Sequence, residues 1–540
     1  LIRAIKISIS FFFTSLVVTW SIQILILLLN RHIPVSPTQF PLMFIDLFLF
    51  FGPLWIVFFS LIIFITEFFS GKKIGFGLFS PPTLLHFVTL SIFLITLISF
   101  LNYQYYKSFF SPVFRTHFSR LLLINSFLIL IGGVFFVFKR SIRLWTQGFF
   151  YLILILTLLY GYYSVMTPYL PPVLPVKSEI STQTPRRLKI IVLQGISLNY
   201  ILSLPAELKL PNIEWIRNNG IVGRMKTFSP NYEQALLNTI LTGYPPAVNS
   251  SFTHSRFQFR NVSTEFEIFP RYIFFRNSAK IGLATFYKKH YLVPQDTLIC
   301  RYHSIGKATL SLLAPPAHLS YSEKNLRKNN EYLQFFPDIP DEGDPKIGIL
   351  KRAFFLDDYL INRMPSWPSS IYSYFIINLP GLETVTSHFF HYTDPQNFPN
   401  LREDLVQKYR PILPRYYQFY DAMVGKLIGT MTDDEMLVII GLSEIEPLPL
   451  WRRILLNYIS GKDIFVYRPN SSPGVFFLYE KNALRRGVFL PSISIIDLYP
   501  TLCYYIGFQL NRSLSGNVIR DVFTDQFLIN NPLITHSDHP

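Results

Sequence analysis

Hydrophobic positions along the chain fall into two regimes. Over the first 166 residues they run in five long stretches, about 7–29, 47–69, 83–102, 120–138 and 146–166. Each is close to the roughly 20 apolar residues a helix needs to cross a bilayer. Beyond residue 188 the apolar runs shorten and end on Gly or polar residues. Leu188-Lys-Ile-Ile-Val-Leu193, Tyr374-Phe-Ile-Ile-Asn-Leu379, Met436-Leu-Val-Ile-Ile-Gly441 and Val475-Phe-Phe-Leu-Tyr479 read as buried strands. Between them lie helical segments: one from Pro211 to a stop at Gly220, one over 232–242, a long amphipathic one over 403–430, and one over 495–507. Such alternation predicts an α-helical transmembrane bundle followed by an α/β domain, with a mostly parallel sheet sandwiched by helices. In such sheets the chemistry gathers at the carboxyl ends of the strands.

The two regimes set the domain boundaries: a membrane domain over 1–166, a spacer over 167–187 and an α/β domain over 188–530. The spacer Thr167-Pro-Tyr-Leu-Pro-Pro-Val-Leu-Pro175 has four prolines in nine residues, which excludes a continuous helix. The first residue is Leu rather than Met, which leaves open whether the amino terminus is complete.

Charge follows the same division. The first 170 residues hold eleven Lys/Arg but only two acids, Asp46 and Glu67, within a chain of net charge +16. Juxtamembrane cations fit anionic headgroups and topology control. With a cytoplasmic amino terminus the inside segments hold Arg3, Lys6, Lys72, Lys73, Lys139, Arg140 and Arg143, against Arg31, Lys107, Arg115 and Arg120 outside. That balance favours an extracytoplasmic carboxy-terminal domain. Asp46 and Glu67 lie near the ends of the second stretch and are expected to be hydrated at the interface rather than to mark an ion path. No basic stripe on a nucleic-acid module is present, so nucleic acid is excluded as a partner. Cys300 and Cys503 form neither a disulfide framework nor a zinc-ligand spacing. Cys503 reads as a buried small hydrophobe.

The run Asp497-Leu-Tyr-Pro500-Thr501-Leu-Cys-Tyr-Tyr-Ile-Gly507, closed by Gly516-Asn-Val-Ile-Arg, resembles the carboxy-terminal signature of alkaline-phosphatase-superfamily domains, most closely the type I phosphodiesterase/nucleotide pyrophosphatase (sulfatase-like) branch. Three further blocks are similar to that family. Val192-Leu193-Gln194-Gly195 is followed by Leu210-Pro211-Asn212 and by a Gly220-Ile-Val-Gly223 turn. Pro230-Asn-Tyr-Glu233 opens a helix that ends Thr242-Gly243. Gly381-Leu-Glu383-Thr-Val-Thr-Ser387-His388 runs on to Tyr392-Thr-Asp394-Pro395. Over about 276–370 nothing matches.

The resemblance implies an alkaline-phosphatase-like sheet and a two-metal site, typically zinc, transferring phosphoryl or sulfuryl groups. It also places the ligand and nucleophile positions, and those positions are degenerate. A metal-ligand Asp is Gln194, a poor donor for a divalent ion. The Thr or Ser nucleophile is Glu233, better suited to a helix cap or dipole partner. The Asp and His of the third block are Glu383 and Ser387. His388 stands next to Ser387, about 100° round the helix, and so does not simply replace it. The Asp-His pair after the 436–441 strand reads Ser443-Glu444, and the last ligand position, four residues before Gly474, reads Asn470.

Two functional readings follow. The first is a membrane-anchored pseudoenzyme that binds or scaffolds envelope glycan, lipid or protein at the outer face, with no metal cofactor. The alternative is a divergent metal-dependent phosphodiesterase or phospho/sulfo-transferase acting on envelope lipids or glycans, with zinc or manganese held by Glu233, Glu383, Glu444 and His388. Five spans ahead of such a domain resemble the plan of envelope phosphoethanolamine and glycerol-phosphate transferases, which implies the bacterial cytoplasmic membrane. The Asn-x-Ser sequons at Asn249, Asn261, Asn470 and Asn511 read as chance occurrences. The tail His536-Ser-Asp-His539 could touch a metal but reads as a disordered terminus.

Overall fold

A computed structural model describes residues 2–71, 81–137, 144–166, 186–249, 252–253, 255–273, 275–288, 297–313, 330–339, 343–362, 371–398, 401–460, 463–469, 472–511, 514–533 and 535–536. The expected spacer falls almost wholly outside these residues. The chain divides into two compact units, residues 1–173 with 252–290, and residues 174–251 with 291–540.

The first unit is built on α1 (Ile2–Leu29), α2 (Gln39–Ser70), α3 (Pro81–Tyr106), α4 (Pro112–Val137) and α5 (Leu144–Met166). The first four are long and apolar enough to cross a membrane, and the fifth is apolar over the shorter stretch Phe149–Val165. Helix α1 packs against α2, α3 and α5, and 67% of its apolar window is buried against 22% for α2. It is the central helix of the bundle.

An antiparallel ribbon, Ser255–Phe259 with Ala284–Lys288, completes this unit. The loop following its first strand is fastened at the bundle end where α1 and α3 finish and α2 begins. Asn30 accepts from the Glu267 and Ile268 amides at 2.9 and 2.7 Å and donates to the Ile268 carbonyl at 2.8 Å. Asn102 holds both backbone groups of Arg271 in the same way. Gln39 accepts from Thr264, and the Tyr106 hydroxyl donates to the Phe269 carbonyl. Side-chain amides here stand in for a neighbouring strand, which satisfies backbone groups that would otherwise be buried unpaired.

Asp46 corrects the sequence expectation. It is fully buried rather than hydrated, and it accepts from the Asn261 backbone N–H at 3.0 Å and side-chain amide at 2.7 Å. Asp46→Ala removes the buried acceptor of two part-buried hydrogen bonds from Asn261, at about 1–2 kcal/mol. Hydrogen exchange across 257–268 is expected to accelerate by about 5- to 30-fold while α4 stays unchanged.

The second unit carries a seven-stranded sheet: β1 (Arg187–Leu193), β2 (Ile221–Lys226), β3 (Ala308–Leu312), β4 (Tyr372–Leu379), β5 (Glu435–Gly441), β6 (Gly474–Tyr479) and β7 (Val488–Ser494). The order is β7-β2-β6-β5-β1-β4-β3. Strand β6 runs antiparallel to β2 and β5, and all other neighbours are parallel. Alternate residues of β1 feed two cores: Ile191 and Leu193 on one face, Leu188, Ile190 and Val192 on the other. The first core is covered by α7 (Pro211–Asn219), α9 (Pro345–Asn362), α10 (Gly381–Thr393) and α11 (Ile412–Gly429). The second is covered by α8 (Glu233–Thr242) and α13 (Leu498–Ile506). This helical bundle followed by a mostly parallel sheet between helices is the expected architecture.

Two segments differ from expectation. The helix expected over 403–430 is broken into Glu403–Tyr409 and α11, because Pro411 takes the cap position between them. The turn expected at Gly220–Gly223 is instead the start of β2.

The run that begins at Asp497 has a structural explanation. Asp497 accepts from the Ser494 and Asn517 amides, Thr501 accepts from the Ile519 amide, and a Cβ on Gly516 would stand 2.0 Å from the Ile496 carbonyl oxygen. The motif ties a return loop across the start of α13. In turn α13 packs on α8, where Gly243 (φ +74°) leaves room for the Tyr499 ring. Leu210-Pro211-Asn212 is explained similarly: Asp421 of α11 accepts from the Asn212 and Ile213 amides at 3.0 and 2.8 Å, capping the first turn of α7. Cys503 is fully buried, as expected.

Candidate functional site

The carboxyl ends of β1, β4 and β5 meet the first turns of α8 and α10. Gln194 follows β1 directly, its N–H donating to the Leu379 carbonyl at 3.1 Å. Gly195 then turns the chain at φ +82°, and a Cβ there would come 2.7 Å from the Cα of Glu383. That close approach presses the β1 turn onto the first turn of α10.

Gln194 and Glu233 are brought together. The Gln194 amide donates to Glu233 Oε1 and, at 2.9 Å, to Asn378 Oδ1. The Asn378 amide donates to the same Glu233 oxygen at 3.0 Å and to the Leu313 carbonyl at 3.3 Å. Two amides and one carboxylate thus close a ring of hydrogen bonds at the strand ends. Gln194 and Asn378 are each 6% exposed, so water competes little for these bonds. Glu233 is the first residue of α8, behind Tyr232 at the cap position. Its carboxylate sits in the favourable field of the helix terminus, but its acceptor capacity is directed to the two amides.

Glu383 pairs with Arg468 at 2.5 Å, both partly exposed. Glu444 is buried and faces another helix: its Oε1 accepts from the Leu198 N–H at 3.0 Å and its Oε2 from the Asn199 amide at 3.3 Å. It therefore caps α6 (Leu198–Ser203). Burial pushes the Glu444 carboxyl above its usual range, with the Leu198 N–H and Arg224 pulling it back. Ser443 is buried, and its hydroxyl has no partner among the described residues. Ser387 and His388 are both exposed on α10, and His388 Nδ1 lies 2.9 Å from the Thr384 carbonyl of its own helix. Asn470 lies outside the described residues.

These donors do not fit a pair of divalent ions. Two divalent charges need several anionic or imidazole ligands converging on shared space. Here two amides occupy the strand ends, and each carboxylate is taken up by an amide, an arginine or a helix terminus. Among the described residues no three His, Cys, Asp or Glu side chains converge so as to hold a metal ion.

Sequence reasoning missed Asn378, Arg468, Arg224 and Ser472. Asn378 carried a signal, a lone polar residue near the carboxyl end of an apolar strand. The Ser472 hydroxyl accepts from the Glu444 backbone N–H and donates to the Glu444 carbonyl, 2.9 Å each, and only the fold brings the two together.

No family model and no curated protein matches this chain. Among solved structures it resembles a phosphonate monoester hydrolase from Silicibacter pomeroyi, at 14% identity over 66% of this chain and 78% of that one, TM-score 0.37. It also resembles human ectonucleotide pyrophosphatase/phosphodiesterase 5, at 10% identity over 63% of this chain and 100% of that one, TM-score 0.37. The murine counterpart has the same identity and coverage, TM-score 0.35.

Proposed function

We propose that this chain is a membrane-anchored, non-catalytic member of the alkaline phosphatase superfamily, binding or scaffolding an envelope component at the outer face of the membrane. The observation that carries this reading is the Gln194–Glu233–Asn378 ring. It occupies the ligand and nucleophile positions named by the resemblance with groups that satisfy one another. A phosphoryl-transfer site needs a hydroxyl poised for attack and cationic charge to stabilise the oxyanion. Instead, the first turn of α8 offers a carboxylate that repels an incoming phosphate.

The loss is local. The supports of α7, α8 and α10 around the site are intact, as selection for a folded binding surface would leave them. The charge balance of the short loops orients the sheet-bearing unit outside the cytoplasm. Full-length protein assayed with phosphodiester and phosphonate monoester substrates, with zinc or manganese supplied, should show no turnover above buffer. Turnover abolished by Glu233→Gln and Glu383→Ala would favour the divergent-enzyme reading instead.

A further inference from the structure

Between Glu444 and Arg468 the chain makes an excursion. A short ribbon, Glu446–Pro447 against Val466–Tyr467, carries helix α12 (Leu450–Ser460). Its sequence Leu-Trp-Arg-Arg-Ile-Leu-Leu-Asn-Tyr is amphipathic but faces the wrong way for a soluble surface. At 100° per residue, Leu450, Trp451, Ile454, Leu455 and Tyr458 share an arc of about 140°. They are 56, 64, 63, 50 and 89% exposed. One of the helix's two arginines turns inward: Arg453 is buried, its guanidinium 5.3 Å from the centre of the Phe398 ring. That packing stops the helix from rolling its apolar arc under.

We propose that α12 is an interfacial membrane helix, its Leu450–Tyr458 arc lying in the headgroup–acyl boundary of the bilayer. Three observations select lipid as the occupant. Among the described residues four helices are long and apolar enough to span a membrane, so a bilayer would be tethered to α12 covalently. The arc has Trp451 and Tyr458 near its middle, flanked by Leu450, Ile454 and Leu455, the composition of helices that lie in the interface. Arg452 flanks the arc, exposed and above the Trp451 ring, where it meets anionic headgroups on a chain of net charge +16. The ribbon that bears α12 is rooted at Glu444 and Arg468, so docking would present the candidate site to lipid headgroups.

The inference rests on the membrane reading of α1–α4, and the test separates the two. Full-length protein carrying Cys300→Ser, with buried Cys503 left in place, is reconstituted in nanodiscs of phosphatidylethanolamine and phosphatidylglycerol. Nitroxide labels are placed singly through Arg452→Cys, Leu455→Cys and Tyr458→Cys, with Leu123→Cys on the exposed apolar side of α4 as reference. Power saturation then compares collisions with oxygen, which partitions into lipid, and with a water-soluble nickel complex. Labels at 455 and 458 should lose nickel collisions and gain oxygen collisions, as at 123, while 452 shows the reverse. Nickel access at 455 and 458 with a lipid-exposed 123 would overturn this inference alone. Exclusion of both reagents at 455 and 458 would also overturn it, pointing to a second copy or another protein. An aqueous reading at 123 would overturn the membrane reading and this inference together.

Discussion

Lys189→Met is expected to destabilise the sheet-bearing unit by about 3–5 kcal/mol, the cost of leaving a buried charge without its partner. Lys189 interrupts the apolar run of β1, and its Nζ lies 2.5 Å from Glu435 Oε2 at the start of β5, both side chains 2% exposed. Burial pulls the Lys189 ammonium down to about 8 against the pull of Glu435. Removing the cation alone leaves the carboxylate in a site with little water. The double variant Lys189→Met/Glu435→Leu removes both charges and should recover most of the loss, since an apolar pair of similar size can replace a buried ion pair at little cost. Hydrogen exchange of β1 and β5 in the full-length protein reads both variants without assuming that the two units unfold together. A Lys189→Met loss under about 1 kcal/mol would mean that the pair is hydrated, as surface pairs are.

The second large effect concerns pH. Asp357 of α9 is fully buried and accepts from the Tyr416 and Tyr420 hydroxyls and, at 3.2 Å, from the Gly381 N–H that opens α10. Burial pushes its carboxyl up to about 7, with the three donors pulling it back. A raised acid in the folded state stabilises below the unfolded pKa, and that contribution is lost as pH rises through the folded one. Each pH unit between the two pKa values is worth about 1.4 kcal/mol, so from about pH 4 to pH 7 the group should withdraw about 4 kcal/mol.

His391 of α10 titrates in the opposite sense. It is 1% exposed and stacked on Phe465 at 3.8 Å, and burial pulls its imidazole down to about 3. Its contribution is present above about pH 6.5 and is lost as pH falls towards 3. Asp357→Asn should remove this loss, so that stability climbs more steeply from pH 4 to pH 7 than in the wild type, where Asp357 offsets the gain from His391. A wild-type profile that rises from pH 5 to pH 7 relative to Asp357→Asn would mean that the tyrosines hold the ionised form.

The elements legible in the sequence were those whose local pattern agrees with their tertiary role. Strands β1, β4, β5 and β6 are apolar over most of their length because both faces are buried. Strand β2 carries Gly223, Arg224 and Lys226, and β7 holds Pro491 and is largely exposed, so neither shows such a run. The 252–290 segment was illegible for another reason. Its fastening to the helical bundle runs through Asn30, Asp46 and Asn102, which lie 169 to 238 residues away in the chain. No local pattern encodes a bond of that reach. At the site, the family register located Gln194, Glu233, Glu383, Ser443 and Glu444. It did not show what they bond to, because Asn378, Arg468 and Ser472 lie outside the positions that register marks.

Each carboxylate at these positions has a partner within the chain: amides for Glu233, an arginine for Glu383, a helix terminus for Glu444. The measurement that tests this most directly is metal stoichiometry by mass spectrometry on full-length protein equilibrated with zinc and then desalted. The account predicts well under one ion per chain, unchanged in Glu383→Ala and Glu444→Ala. One or two zinc ions per chain, lost in Glu383→Ala, would contradict it.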